Sequence, residues 1–142
     1  MSVEKYRLHS MPSAQCHIII QHDTTKTVVE LISYDTSVLR AVYENDSFQL
    51  YCSGTYSHTT ARHINRFTTE FFGENLYHQC ADAVRGHVSP VAFFNQPYYT
   101  VYNIHILYTC YADVYDTFFK TIYNYENDAF GIGQVKKYKG NY

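Results

Sequence analysis

The chain has 142 residues, enough for one domain with its own hydrophobic core. Apolar residues make up 46% and charged residues 17%, which excludes a disordered chain, and a formal net charge of -2 argues against both a basic nucleic-acid binder and a heavily acidic nucleic-acid mimic. The outlier is tyrosine, with 16 copies and no tryptophan; these stiff amphipathic rings either close a small core or furnish a surface for binding proteins.

The opening MSVEKYRLHSMPS contains no apolar run, so a signal peptide is not expected and residues 1–14 are read as flexible. Cys16 to His22 (CHIIIQH) is a β-rich apolar run, and DTTK turns the chain. Thr27 to Tyr34 has β-branched residues in partial alternation, and Asp35 to Ser37 make the next turn. In Val38 to Glu44, the residues Val38, Arg40 and Val42 alternate with Leu39, Ala41 and Tyr43. Asn45-Asp46 marks a tight connection into Ser47 to Ser53. Such runs joined by short polar turns predict an antiparallel meander.

The period then changes. Ala61, Ile64, Phe67, Phe71 and Phe72 recur at helical spacing, with Gly73 as the stop. A second helix is predicted from Asn75 to Arg85, with Leu76, Cys80 and Val84 in a ladder and Gly86 as its cap. Pro90 and Pro97 make HVSPVAFFNQPYY an irregular connection. Thr100 to Tyr111 alternates most cleanly and predicts a strand. ADVYDTFFKTIYNY returns to helical period, capped by Asp113, with Tyr115, Phe118, Phe119 and Ile122 on one face. The tail at 127–142 is Gly-rich, then basic, and is also read as flexible. No repeat or boundary divides the chain. The expectation is a single α+β domain over 1–142: an N-terminal antiparallel β-meander packed with about three α-helices, and a further strand near 100–111.

No apolar stretch approaches the roughly 20 residues that span a bilayer. Cys16, Cys52, Cys80 and Cys110 are far apart and, without an export signal, are expected to be reduced thiols of a cytoplasmic protein.

The stretch with most chemical content is TYSHTTARHINRF, from Thr55 to Phe67. Ser57, Thr59 or Thr60 can cap the helix, because a hydroxyl accepts from free N–H groups two or three residues on. Ile64, Phe67 and Phe71 point inward, whereas Arg62, Arg66 and Thr69 point away, and Glu70, four residues on, can relieve Arg66 but not Arg62. Arg62 and His63 stand near the positive end of the helix dipole, where negative charge is favoured. Ser57, Thr59, Thr60, Arg62, His63 and Arg66 are therefore candidates for binding an anion or a partner. The alternative is a plain cap, with Tyr56 and His63 packing inward and Arg62 meeting a carboxylate of the sheet.

Other chemistry has weaker support. Eight histidines and four cysteines invite a zinc-stabilised module, yet no CxxC, HxxxH or HExxH occurs, so Cys16-His17 or Cys52 with His58 would have to converge through the fold. No GxSxG and no phosphate loop is present, and an enzyme is not expected. No cofactor is expected either. KKYKGNY is either a solvated end or a phosphate contact with Tyr138 or Tyr142 stacking.

YSHTTARHINRF also resembles a motif of the form Tyr-Ser-x-Thr-Thr-x-Arg-His-x-x-x-Phe, filled by Tyr56, Ser57, Thr59, Thr60, Arg62, His63 and Phe67. It is similar to one in small proteins of phages and mobile elements of Gram-positive bacteria, a resemblance that covers roughly the first half of the chain. It carries over no catalytic residue. What it implies is context: small phage proteins often disable host defences, and one such class, the anti-CRISPR proteins, binds an effector nuclease. The expected activity is stoichiometric inhibition of a host defence protein of the type II CRISPR kind, in the bacterial cytoplasm. The alternative is a phosphate-dependent nucleic-acid or nucleotide-binding module that uses the helix start at 57–66.

Overall fold

The alternation in CHIIIQH decides which side of a sheet becomes the core. The computed structural model describes residues 2–53, 57–85, 91–93, 96–100, 111–127, 129 and 137–138. Cys16, Ile18 and Ile20 are buried, while His17 and Ile19 point to the opposite face. Their strand, β2 (Cys16–His22), belongs to a meander with β1 (Ser2–Arg7), β3 (Lys26–Ser33), β4 (Thr36–Glu44) and β5 (Ser47–Cys52). Each consecutive pair is antiparallel. Further strands among the described residues are β6 (Val91–Phe93), β7 (Gln96–Thr100) and β8 (Lys137–Tyr138), so these residues form an eight-stranded sheet in the order β6-β7-β5-β4-β3-β2-β1-β8.

Two turns carry residues with positive φ. Asn45 (φ 53°) and Asp46 (φ 59°) form the two-residue β4–β5 link, as expected of side chains that tolerate the left-handed region. Tyr34 (φ 57°), in the β3–β4 turn, is not such a residue. The β3–β4 register shifts between Leu31 and Ile32, so β4 carries an extra residue next to this turn.

Among the described residues the helices are α1 (His58–Phe72), α2 (Tyr77–Arg85) and α3 (Tyr111–Glu126). The inward face of α1 is Thr60, His63, Ile64, Phe67, Thr68, Phe71 and Phe72. Gly73 ends the helix at φ 77°, its N–H donating to the Thr69 carbonyl at 3.0 Å. Thr68 then ties the helix to the chain that follows: its hydroxyl donates to the Ile64 carbonyl (2.9 Å) and accepts from the Leu76 N–H (3.0 Å). From α3, Val114, Phe118, Ile122 and Tyr125 reach the same core. Phe118 lies within 5.1–5.8 Å, ring centroid to centroid, of Phe48, Phe72 and Phe71, so β5, α1 and α3 meet at one ring. The architecture is α+β, as the sequence pattern implies. None of the described helices is long and apolar enough to cross a membrane.

Several local expectations change. The start, expected to be flexible, contains β1, and Tyr6 and Leu8 are buried under the helices. Its alternation was hidden because its other face is Lys5 and Arg7. The Pro-bearing connection contains β6 and β7. Pro97 is paired with Ala92 of β6, while the described β7–β5 pairing runs through Tyr99 and Thr100. Asp113 falls inside α3, since that helix already starts at Tyr111. Tyr115 sits at the rim of the α3 face and is 39% exposed, its ring 5.5 Å from Tyr43. Within the tail, Lys137 and Tyr138 form the edge strand beside β1. The strand expected near 100–111 lies, for residues 101–110, outside the described residues, as do Tyr56, Gly86, Cys110 and Tyr142.

Candidate functional site

The start of α1 is built as its hydroxyls imply. Ser57 is the N-cap (φ -61°, ψ 164°), and its Oγ accepts from the Thr60 N–H at 3.3 Å. The helix puts 100° between neighbours, and this separates the candidates. Ser57, His58, Arg62 and Arg66 are exposed, and Thr59 is half-buried. Thr60 and His63 are buried, on the inward face with Ile64 and Phe67. Arg62 and Arg66, four residues apart, share the solvent side with no acidic residue in the first turn.

The inward pair meets a residue from the sheet. Ser33, the last residue of β3, is buried, with its hydroxyl 2.9 Å from Thr60 Oγ1 and 2.8 Å from His63 Nδ1. His63 is therefore not available to a ligand; it locks α1 to β3. Burial, then the neighbouring Arg62 charge, lowers its pKa below the usual 6.5. The sign follows: the unfolded chain takes up a proton near pH 6.5 and the folded chain resists it. His63 thus favours folding above pH 6.5, and that contribution drains as pH falls below it. Stability measured by urea unfolding is expected to decline on acidification from neutral pH, and the decline to flatten in His63→Gln. An unchanged slope in that variant would rule His63 out as the source.

Glu70, expected to relieve Arg66, is used elsewhere. Its carboxylate accepts from the Tyr125 hydroxyl (2.5 Å), the Ser10 N–H (3.0 Å) and the Ser10 hydroxyl. Tyr125 in turn accepts from the His9 N–H at 2.8 Å. Burial and the Glu70 charge push the Cys16 thiol up to about 12 and raise Tyr125 above its ordinary value. Cys16 is therefore a packed thiol, not a nucleophile. The metal pairings considered for the cysteines do not form: Cys16 and His17 occupy opposite faces of the sheet, and Cys52 donates instead to the Cys80 carbonyl at 3.3 Å. Among the described residues no three His, Cys, Asp or Glu side chains converge.

Two surface hollows are relevant, one at the helix start and one at the β3–β4 turn. One, of about 230 Å³, is lined by His58, Ala61, Arg62, Asn65, Asn75 and Tyr77, where the outer face of α1 meets the start of α2. The other, of about 370 Å³, lies on the sheet face opposite the helices, and Tyr34 forms part of its wall. Tyr34 is 51% exposed and its ring centroid is 6.3 Å from that of His63. Sequence patterning placed Tyr34 at the end of a strand. The available signal was a two-residue turn without glycine or asparagine at its first position.

A family model matches residues 6–82, just over half of the chain. The chain belongs to DUF8033, a family of unknown function. No curated protein and no solved structure matches it. The DUF8033 span runs from within β1 through most of α2, so Ser33, Tyr34 and the capped helix start all lie inside it, whereas α3 lies outside.

Proposed function

We propose that this protein works by stoichiometric protein–protein binding, through the surface where the β3–β4 turn meets the start of α1. The observation that carries this reading is Tyr34: a large ring, 51% exposed, held at φ 57° in a place where glycine or asparagine would fit without strain. A left-handed backbone costs a non-glycine residue roughly 1–2 kcal/mol, and such strain gathers at functional positions. Tyrosine is also enriched among the residues that dominate binding energy at interfaces. Beside it, the Ser33–Thr60–His63 lock gives the turn a fixed base. The partner class comes from the motif around Ser57 to Phe67: a phage or mobile-element accessory protein that inhibits a host defence nuclease of the type II CRISPR kind, without cofactor or catalysis, in the host cytoplasm.

The test uses a purified type II effector nuclease with its guide RNA. The protein is expected to be retained by the immobilised effector and to stop DNA cleavage at about one copy per nuclease. Tyr34→Asn, which suits the left-handed backbone but removes the ring, should bind about 10–100-fold more weakly, as for an interface hot spot. No retention together with undiminished cleavage would refute the assignment.

A second reading is favoured by one observation: exposed His58, Arg62 and Arg66 around a capped helix start that has no acidic residue in its first turn. It makes the protein a phosphate-dependent nucleic-acid or nucleotide binder. Oligonucleotide binding would then fall steeply with salt, and Arg62→Ala would reduce the salt slope by about one. Affinity unaltered in Arg62→Ala would leave the helix start as a cap alone.

A further inference from the structure

We infer that the outer face of α1, with the hollow of about 230 Å³ beside it, holds a single-stranded segment of nucleic acid, its phosphates on Arg62 and Arg66 and one unpaired base in the hollow against Tyr77. This rests on the phosphate-binding reading above and names the form of nucleic acid and the place of the base.

Helix geometry gathers the positive groups. His58, Arg62 and Arg66 recur every four residues, so they share one face of α1 with about 6 Å of helix between neighbours. All three are exposed, and their side chains make no hydrogen bond or ion pair among the described residues. Arginines one turn apart repel, and a carboxylate at the same spacing ordinarily relieves them. The one acidic residue of α1, Glu70, is turned instead to Ser10 and Tyr125. The face therefore carries an uncompensated positive charge although the whole chain has a net charge of -2.

The hollow supplies what a positive face lacks. It joins Arg62 and Asn65 of α1 to Asn75 and Tyr77 at the start of α2, and its lining includes no carboxylate. Asn65 Oδ1 already accepts from the Thr69 hydroxyl (3.2 Å) and Asn75 Oδ1 from the Tyr77 N–H (3.0 Å). Both amides keep their side-chain N–H groups to donate. An aromatic ring, a guanidinium and spare donors together suit the flat face and acceptor atoms of a base next to a phosphate. The volume is below that of a pocket for a whole small ligand and suits a single base. A positive track with an aromatic ring beside it is the combination that holds single strands. A base within a duplex is stacked and paired and does not enter such a hollow without being flipped out, which sets the single strand above the duplex. Aspartate and glutamate side chains carry no ring, so an acidic peptide would meet the arginines and leave Tyr77 unused.

The probe is a fluorescein-labelled oligothymidylate, compared with a duplex of the same length by fluorescence anisotropy between about 50 and 200 mM salt. The single strand is expected to bind about 10-fold more tightly than the duplex, within the range for one stacked base. Two phosphate contacts predict a slope of log affinity against log salt of about -1.4, at about -0.7 each, and Arg62→Ala should halve it. Tyr77→Leu should weaken binding about 5–100-fold with the slope unchanged, and Tyr77→Phe should bind as the unaltered protein does. Tyr77 also packs against the core, so Asn75→Asp is the second variant: it keeps an oxygen for the Tyr77 N–H, places a carboxylate in the lining and should weaken binding. Equal binding of strand and duplex, with the Arg62 dependence kept and the Tyr77 and Asn75 variants unaffected, would overturn the hollow as a base site and leave the phosphate reading standing. No binding of the oligothymidylate would overturn both, and Arg62-dependent binding of a glutamate-rich peptide in its place would assign the face to an acidic protein.

Discussion

Phe118→Ala is expected to destabilise the protein by about 3–5 kcal/mol, a large share of the roughly 5–15 kcal/mol that holds a domain of this size together. Phe118 is fully buried, with Phe48, Phe71, Phe72 and Phe119 around it at centroid distances of 5.1–5.8 Å. Those partners come from β5, α1 and α3 itself, so they cannot all move into the space left by the ring. The loss therefore includes both the transfer of the ring and a cavity that cannot collapse. Denaturant titration should show a much lower midpoint with little change in slope. Phe119→Ala is the comparison: Phe119 is half-buried against Tyr43 and Tyr115, and its removal should cost less. A cost below about 1 kcal/mol for Phe118→Ala would mean that α3 does not contribute to the core as described.

Arg40→Met is expected to be comparably damaging, about 3–5 kcal/mol, although it replaces a charge with an apolar side chain. Arg40 and Glu30 are cross-strand partners on the sheet face away from the helices. Their Nη1–Oε1 distance is 2.6 Å and their side chains are only 7% and 13% exposed. Removing the guanidinium leaves Glu30 charged, largely desolvated and held, among the described residues, by the Ser37 hydroxyl alone. The physical signature is recovery. In the double variant Glu30→Met, Arg40→Met, most of the loss should return, because an apolar pair needs no charge compensation. Equal losses in the single and double variants would show that the pair is not what stabilises this part of the sheet. Because the pair is buried, its contribution should also change little between low and moderate salt.

Arg40 shows where patterning stops being informative. Along β4, Val38, Arg40 and Val42 read as one side of an alternating strand, and that alternation does not say whether Arg40 meets water. Arg40 is in fact 6% exposed, with Val42 also buried. Alternation assigns residues to faces but does not say how wet each face is. The same limit applied to β1, whose Lys5 and Arg7 made a core-contributing strand look like a polar start. Glu70 was read by spacing along its own helix, four residues from Arg66. Its partners, Ser10 and Tyr125, are 60 and 55 residues away in the chain.

The candidate site divides along the same line. A hydroxyl cap among Ser57, Thr59 and Thr60, Ile64 and Phe67 facing inward and Arg62 and Arg66 facing outward were all legible, because helix geometry and capping act within a few residues; the fold chose Ser57. That His63 belongs with the core was not decidable, since its partner is Ser33, on a strand 30 residues earlier. Tyr34 was invisible for a related reason. Its importance comes from a backbone angle and from a hollow whose walls derive from β1, β2, β3 and two connections.

By itself, the sequence determined the α+β class, the meander from Cys16 to Cys52, a hydroxyl cap at the start of α1, the Gly73 stop and the aromatic core, because each follows from periodicity or from a hydrogen bond to a near neighbour. Only the tertiary structure decided which polar groups are sealed into it and which surface remains to bind. Those outcomes depend on side chains from separate strands and helices meeting at hydrogen-bonding distance, and local pattern carries no record of such meetings.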